Sequence, residues 1–95
     1  PIDPTTEEII SGGVREQVKR VLDNLKAVLV AAGADITDVT KTTLYIRNMA
    51  DFGIINEIYG EYFTSKPPAR SCVEVARLPK DVLVEVEAIA FVNSR

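Results

Sequence analysis

The chain has 95 residues, 46% of them hydrophobic, with a net charge of −3 and a pI of about 4.9. Its length predicts one domain spanning residues 1–95, and its acidic balance disfavours a general nucleic-acid binder, which needs a basic surface. With no histidine and one cysteine, the chain cannot form an internal disulfide, a Ser-His-Asp or Cys-His arrangement, or a typical zinc site. A single cysteine fits a reducing cytoplasmic setting. A high apolar content without covalent cross-links predicts burial of apolar surface against other subunits.

The first half of the chain predicts a loop, a helix and a strand. Residues 1–13 contain two prolines and a Gly-Gly pair, which is typical of a loop leading into a helix. Apolar residues at helical spacing predict an amphipathic helix over 14–32, with Gly33 as its C-terminal cap. The run at 38–48 is rich in β-branched residues and predicts a strand.

A second helix is predicted next. Asn48 or Asp51 can cap its start, and the SKPP sequence at 65–68 ends it, because proline disfavours helix in the preceding residue. Its apolar stripe is interpreted as helix core rather than a ligand stack, and consists of Phe52, Ile55, Tyr59, Tyr62 and Phe63.

Two further strands are predicted at 69–77 and 82–92. The strands at 38–48 and 69–77 should be parallel, because a helix connects them. The turn at 78–81 leaves two arrangements open: it can close a hairpin, or it can let the last strand pass to another neighbour. Both arrangements give an α+β sheet with two helices on one face, and the opposite face stays uncovered unless other subunits cover it.

The strand at 69–77 has two unlike faces. One is typical of a core face with a charged end and carries Ser71, Val73, Val75 and Arg77. The other is too polar for a core and carries Arg70, Cys72, Glu74 and Ala76. The polar face needs an explanation that hydrophobic alternation does not supply.

Arg70 is the strongest candidate for chemistry, because its planar guanidinium matches a carboxylate with two parallel hydrogen bonds. The alternative is an arginine that pairs with Glu85 or Glu87 or lies in solvent. A solvated face is likewise the simpler interpretation of the two glutamates. Cys72 can be a nucleophile, but a small buried hydrophobic residue is the favoured interpretation.

Five segments in chain order resemble the RidA family, also called the YjgF family. The most specific are PARSCVEVARLPKD (68–81) and VEVEAIA (84–90), and the others are LDNLKAVLVAAGA (22–34), DVTKTTLYIRNMADF (38–52) and NEIYGEYF (56–63). Val84 and Val86 stand where family members often have Ile or Met. Family members usually begin with a β-hairpin that carries a pocket tyrosine and a Ser-Gly-Gln stretch, and we expect this chain to lack it.

The resemblance implies a chorismate-mutase-like α+β fold, with a mixed sheet and two helices on one face. It implies a homotrimer with a pocket in each cleft between subunits. It also implies that the last strand lies beside 38–48, on the side away from 69–77, so that the turn at 78–81 is not a hairpin.

The implied activity is hydrolysis of 2-iminobutanoate or 2-iminopropanoate, and of the related enamines, to 2-oxo acids and ammonia without a cofactor. By resemblance, Arg70 holds the substrate carboxylate and Glu85 positions and activates water. The backbone around Cys72 lines the pocket, and Phe52 and Asn56 shape it.

Two other functions stay open. The first is a non-catalytic trimer that binds small carboxylates through Arg70 and reports them to a partner protein. The second is an endoribonuclease that inhibits translation, against which the acidic pI of about 4.9 counts. Membrane and nucleic-acid partners are not expected.

Overall fold

A computed structural model describes residues 13–64 and 67–92, so most of the predicted loop at 1–13 lies outside the described residues. The two helices are α1 (Val14–Ala31) and α2 (Phe52–Tyr62), and the three strands are β1 (Val39–Ile46), β2 (Ala69–Glu74) and β3 (Val84–Ala90). Every predicted helix and strand is confirmed, although all three strands are shorter than predicted. No helix in the described part of the chain is long and apolar enough to cross a membrane.

Gly33 ends α1 as the sequence predicts. Its φ of 82° lies in the left-handed region that glycine adopts without a Cβ penalty. The Gly33 amide donates to the Val30 carbonyl (3.0 Å) and the Ala34 amide to the Leu29 carbonyl (2.8 Å). This pair of bonds is the Schellman arrangement, and it satisfies carbonyls that the helix end leaves without partners.

The start of α2 is held against the end of β2. The Asn48 side chain accepts a hydrogen bond from the Ala50 amide at 3.0 Å, capping a short 3-10 turn that runs into α2, whereas Asp51 makes no side-chain capping bond. The Glu74 carboxylate accepts from the Met49 amide at 2.6 Å. The 3-10 turn that leads into α2 is therefore tied to the end of β2.

The sheet order is β2–β1–β3. β1 and β2 are parallel, whereas β1 and β3 are antiparallel. Consecutive strands β2 and β3 are not neighbours, so the hairpin alternative for 78–81 is wrong and the arrangement implied by the family resemblance is confirmed. The segment between them instead makes a 3-10 turn, Pro79–Asp81, in which Lys80 and Asp81 have positive φ.

Both helices pack on one face of the sheet. Buried residues of α1 and α2 share a single core cluster with Leu44, Ile46 and Val84 of the sheet. Thr42 is fully buried on the same face, and Gln17 of α1, which is 6% exposed, accepts a hydrogen bond from the Leu83 amide. The α+β fold with a mixed sheet is confirmed.

The sequence predicts the wrong face of β2 as the core face. Val73, on the supposed core face, is 44% exposed, whereas Cys72, on the polar face, packs against the core cluster. The parallel register explains this, because Arg70 and Cys72 pair with Thr42 and Leu44 and so share their helix-covered side. The polar side chains of this face find partners there, which hydrophobic alternation alone does not reveal.

The other face of the sheet is open in a single chain. Apolar side chains on it or at its margin are substantially exposed: Val73 at 44%, Ile89 at 61% and Phe91 at 66%. Glu85 and Glu87 are also exposed on this side. The interpretation of the two glutamates as part of a solvated face therefore holds for a single chain.

Candidate functional site

Arg70 lies against one face of α2. Its guanidinium carbon is 5.2 Å from the centre of the Phe52 ring and 5.0 Å from the centre of the Tyr59 ring. Its Nη1 donates a hydrogen bond to the Asn56 side-chain oxygen. These three α2 residues are spaced i, i+4 and i+7, which places them on one side of the helix. We call Phe52, Asn56 and Tyr59 the arginine cradle.

The cradle is anchored in the core through Tyr59. The Tyr59 hydroxyl is 2.7 Å from the Thr42 hydroxyl, and this hydrogen bond is buried. The Tyr59 ring also stacks on Phe63, with 4.5 Å between ring centres. Tyr59 is only 5% exposed, so one of the two rings against which the guanidinium lies belongs to the core, whereas Asn56 is exposed.

A cavity of about 380 Å³ opens beside Arg70. Its polar lining is the Arg70 guanidinium and the Asn56 amide. The other lining residues are Tyr59, Gly60, Phe63, Pro67 and Pro68. Charged and hydrogen-bonding groups beside aromatic and proline surface suit a small molecule that carries a carboxylate.

The Arg70 charge has no carboxylate partner within residues 13–64 and 67–92. The hydrogen bond to Asn56 uses Nη1, so the edge formed by Nε and Nη2 keeps its donors. That edge presents two parallel N–H groups, which is the geometry that binds a carboxylate at both oxygens. The alternative pairing of Arg70 with Glu85 or Glu87 does not occur, but Arg70 is exposed in a single chain, as the other form of that alternative predicts.

Cys72 is half-buried and packs against the core cluster, as its interpretation as a small hydrophobic residue predicts. Burial raises the pKa of the Cys72 thiol, and the charge of Arg70 offsets only part of this rise. A thiol with a raised pKa is protonated at neutral pH and is a poor nucleophile. Cys72 is not among the residues that line the cavity beside Arg70.

Glu85 lies apart from Arg70 in a single chain. It pairs across the sheet with Tyr45, whereas Arg70 pairs with Thr42. Because Thr42 and Tyr45 point to opposite faces of β1, Arg70 and Glu85 also lie on opposite faces. Glu85 borders a different cavity of about 320 Å³, between α1 and the outer edge of β3.

The structure therefore brings together three of the predicted site residues, Arg70, Phe52 and Asn56, and separates Glu85 from them. The sequence interpretation missed Tyr59, which was assigned to the helix core alone, and Gly60, which was given no role. The available signal was the seven-residue spacing of Phe52 and Tyr59, which places two aromatic rings over one side chain of the neighbouring strand.

Known proteins resemble this chain over almost its full length. The model of the family described as Endoribonuclease L-PSP matches residues 1–92. A human protein named 2-iminobutanoate/2-iminopropanoate deaminase is 46% identical over 90 residues, which are 95% of this chain and 66% of the human protein.

Two solved structures from Escherichia coli match as well. The YjgF gene product has a TM-score of 0.89 at 46% identity, covering 95% of this chain and 72% of that one. TdcF, whose crystal structure contains bound serine, has a TM-score of 0.86 at 48% identity, covering 92% of this chain and 70% of that one. With the segments quoted above, these matches show that the chain belongs to the RidA (YjgF) family.

Proposed function

We propose that this protein hydrolyses small 2-imino acids, and the enamines from which they form, to 2-oxo acids and ammonia. The observation that carries the proposal is the Arg70 guanidinium, oriented by the cradle, without a carboxylate partner among the described residues and beside an open cavity. The name of the human relative supplies the reaction class.

Binding begins at Arg70. The substrate carboxylate takes the Nε and Nη2 edge, while the aromatic rings and Asn56 keep the guanidinium plane fixed. Holding the carboxylate fixes the adjacent C2 imine carbon relative to any group that delivers water. Orientation of this kind lowers the entropic part of the barrier, and charge-assisted paired hydrogen bonds are strong enough to maintain it.

The chemical step is addition of water to C2. The water oxygen bonds to C2, the π electrons of the C=N bond move to nitrogen, and nitrogen takes up a proton. The proton that nitrogen takes up comes from the attacking water, so a hydroxyl and an amino group now share C2. The hydroxyl gives its remaining proton to nitrogen as the C–N bond breaks, so that ammonia leaves and the oxygen becomes the 2-oxo group. Imines hydrolyse readily in water, so a site that orients substrate and transfers a proton is sufficient, and no cofactor is required.

Glu85 is proposed to position the water and carry the proton. Because Glu85 and Arg70 lie on opposite faces of one sheet, the proposal requires the partner subunit's Glu85 to meet Arg70 in a cleft between copies. The exposed apolar side chains of the open sheet face, Val73, Ile89 and Phe91, favour such an assembly. We propose that the assembly is a homotrimer.

The activity is tested by coupling the purified chain to threonine dehydratase and following decay of the imine. We expect faster decay with the wild type and no acceleration with Arg70→Ala. Arg77→Ala is the matched control, because Arg77 is exposed and its carboxylate partner within residues 13–64 and 67–92 is the exposed Asp81 of the turn that follows it. Full activity in Arg70→Ala would reject the role of Arg70.

The shared site is tested by mixing two inactive variants. Co-expressed Arg70→Ala and Glu85→Gln chains would form some clefts with both groups intact, and random assembly predicts recovery of about a quarter of wild-type activity. No recovery from a mixture with confirmed subunit exchange would show that Arg70 and Glu85 do not meet in a cleft between two chains.

A second candidate function is non-catalytic binding of small carboxylates, which the bound serine in the TdcF structure favours. This function uses the same Arg70 edge and makes no demand on Glu85. It predicts saturable binding of 2-oxobutanoate with no acceleration of imine decay.

A further inference from the structure

Gly60 is an unusual residue for its helical position, in the last turn of α2. Glycine in a helix interior costs about 0.5–1 kcal/mol relative to alanine, because the unfolded chain gains more freedom. The usual structural reasons for such a glycine are a positive φ or a neighbouring atom too close for a side chain. Neither applies, because the Gly60 φ is not positive and a Cβ added there would meet nothing within 4 Å among the described residues.

The space that the missing side chain leaves is part of the cavity. Gly60 lines the cavity beside Arg70, one turn of helix after Asn56 and next to Tyr59. A side chain at position 60 would therefore extend over the cavity rather than into packed protein. The absence of a side chain keeps open the part of the cavity that lies towards Phe63 and Pro67.

The two ends of the cavity differ in chemistry. Arg70 and Asn56 supply charge and hydrogen bonds at one end. Phe63 is buried, and Pro67 and Pro68 have no backbone N–H to offer a ligand. A ligand held by its carboxylate at Arg70 therefore directs its carbon side chain along Gly60 towards apolar surface.

We propose that Gly60 sets the size of the substrate side chain that this site accepts, a role that rests on the proposed binding of 2-imino acids by Arg70. Gly60 admits 2-imino and 2-oxo acids with branched or extended aliphatic side chains. A larger residue at position 60 restricts the site to the shortest acids.

The same helix offers a matched control. Gly53 is also in α2, also has no positive φ, and also leaves a new Cβ free of contacts. It does not line the cavity beside Arg70. Replacing either glycine therefore changes helix propensity in a similar way, but only the change at position 60 narrows the cavity.

The test is calorimetric binding of two 2-oxo acids, pyruvate and 4-methyl-2-oxopentanoate, to the wild type, Gly60→Leu, Gly53→Leu and Arg70→Ala. We expect the ratio of the dissociation constant for 4-methyl-2-oxopentanoate to that for pyruvate to rise about 10-fold or more in Gly60→Leu, since misfit of one or two carbon atoms has effects of this size. The ratio should stay within about 2-fold of wild type in Gly53→Leu. Gly60→Ala should shift the ratio in the same direction. If Gly60→Leu does not fold, the alanine variant tests the role of Gly60 in its place.

The possible failures are distinguishable. If both acids bind in an Arg70-dependent manner and the ratio is unchanged in the Gly60 variants, the role of Gly60 is wrong and the proposed function stands. If the ratio of dissociation constants changes equally in Gly53→Leu and Gly60→Leu, the role of Gly60 is likewise wrong and the proposed function stands. Loss of subunit assembly in Gly60→Ala, with an unchanged ratio in the remaining protein, would assign Gly60 to an interface instead. If neither acid binds the wild type, the carboxylate site itself is rejected.

Discussion

The hydrogen bond between Thr42 and Tyr59 offers a quantitative test of how Arg70 is supported. Both side chains are buried, at 0% and 5% exposure, and their hydroxyl oxygens are 2.7 Å apart. Thr42→Val or Tyr59→Phe removes one hydroxyl and leaves the other buried without this partner. Each single change should cost about 1–3 kcal/mol of unfolding free energy, because a buried polar group left unpaired has lost its water without compensation.

The double variant should lose much less than the sum of the two single losses. With both hydroxyl groups replaced by apolar atoms of similar shape, no buried polar group is left unpaired. We expect a coupling of about 1 kcal/mol or more in the double-mutant cycle. Urea unfolding followed by circular dichroism measures all four proteins, at one protein concentration if the chain assembles.

The same four proteins report on the site. Tyr59→Phe keeps the aromatic ring but frees it from Thr42, so Arg70 should hold a carboxylate less firmly although its contacts with Phe52 and Asn56 persist. Binding of 2-oxobutanoate should weaken in both single variants, with Arg77→Ala unaffected. Additive losses of stability, with no coupling between the two positions, would refute this account of the cradle.

Two further predictions concern the frame around the site. Gly33→Ala should lower the unfolding free energy by about 1 kcal/mol, because alanine is strained at a φ of 82°. Gly53→Ala, at a φ that is not positive, should not lower it. Thermal unfolding of the two variants and the wild type measures the difference. Burial and the 2.5 Å hydrogen bond to Asp23 raise the pKa of Tyr62 to about 12. The folded protein therefore holds this proton more tightly than the unfolded chain, so the stabilisation is complete below the unfolded pKa of about 10 and is lost as pH rises through 12. Tyr62→Phe should remove both the tyrosine titration near pH 12 and this part of the pH dependence; a titration that still shows the same late step would contradict the assignment.

Residues close together in sequence were sufficient to predict both helices and the end of α1. The helical spacing of apolar residues located α1, and Gly33 predicted where it stops, because both depend on neighbours in sequence. Strand pairing was different, since the turn at 78–81 fitted two arrangements and only the family resemblance distinguished them. Strand ends were overestimated because Val75 and Val92 continue the alternating pattern beyond the last residues that pair in the sheet.

The face of β2 shows where alternation fails. Two valines made one face look like core, yet the face towards the helices is the one with Cys72, on which the exposed Arg70 and Glu74 find specific partners in and beside α2. The alternation of polar and apolar residues along a strand does not reveal that the Arg70 guanidinium lies against two aromatic rings of α2. The separation of Arg70 from Glu85 was equally hidden, because it depends on the strand register.

The most direct test of the central claim is to observe the Arg70 guanidinium while a carboxylate binds. In a ¹⁵N-labelled sample titrated with 2-oxobutanoate, the Nε resonance of Arg70, identified by its loss in Arg70→Lys, should shift and saturate. The resonances of Arg15 and Arg77, which have exposed carboxylate partners of their own, should not follow it. An unmoved Arg70 resonance at a ligand concentration that saturates the protein would contradict the account.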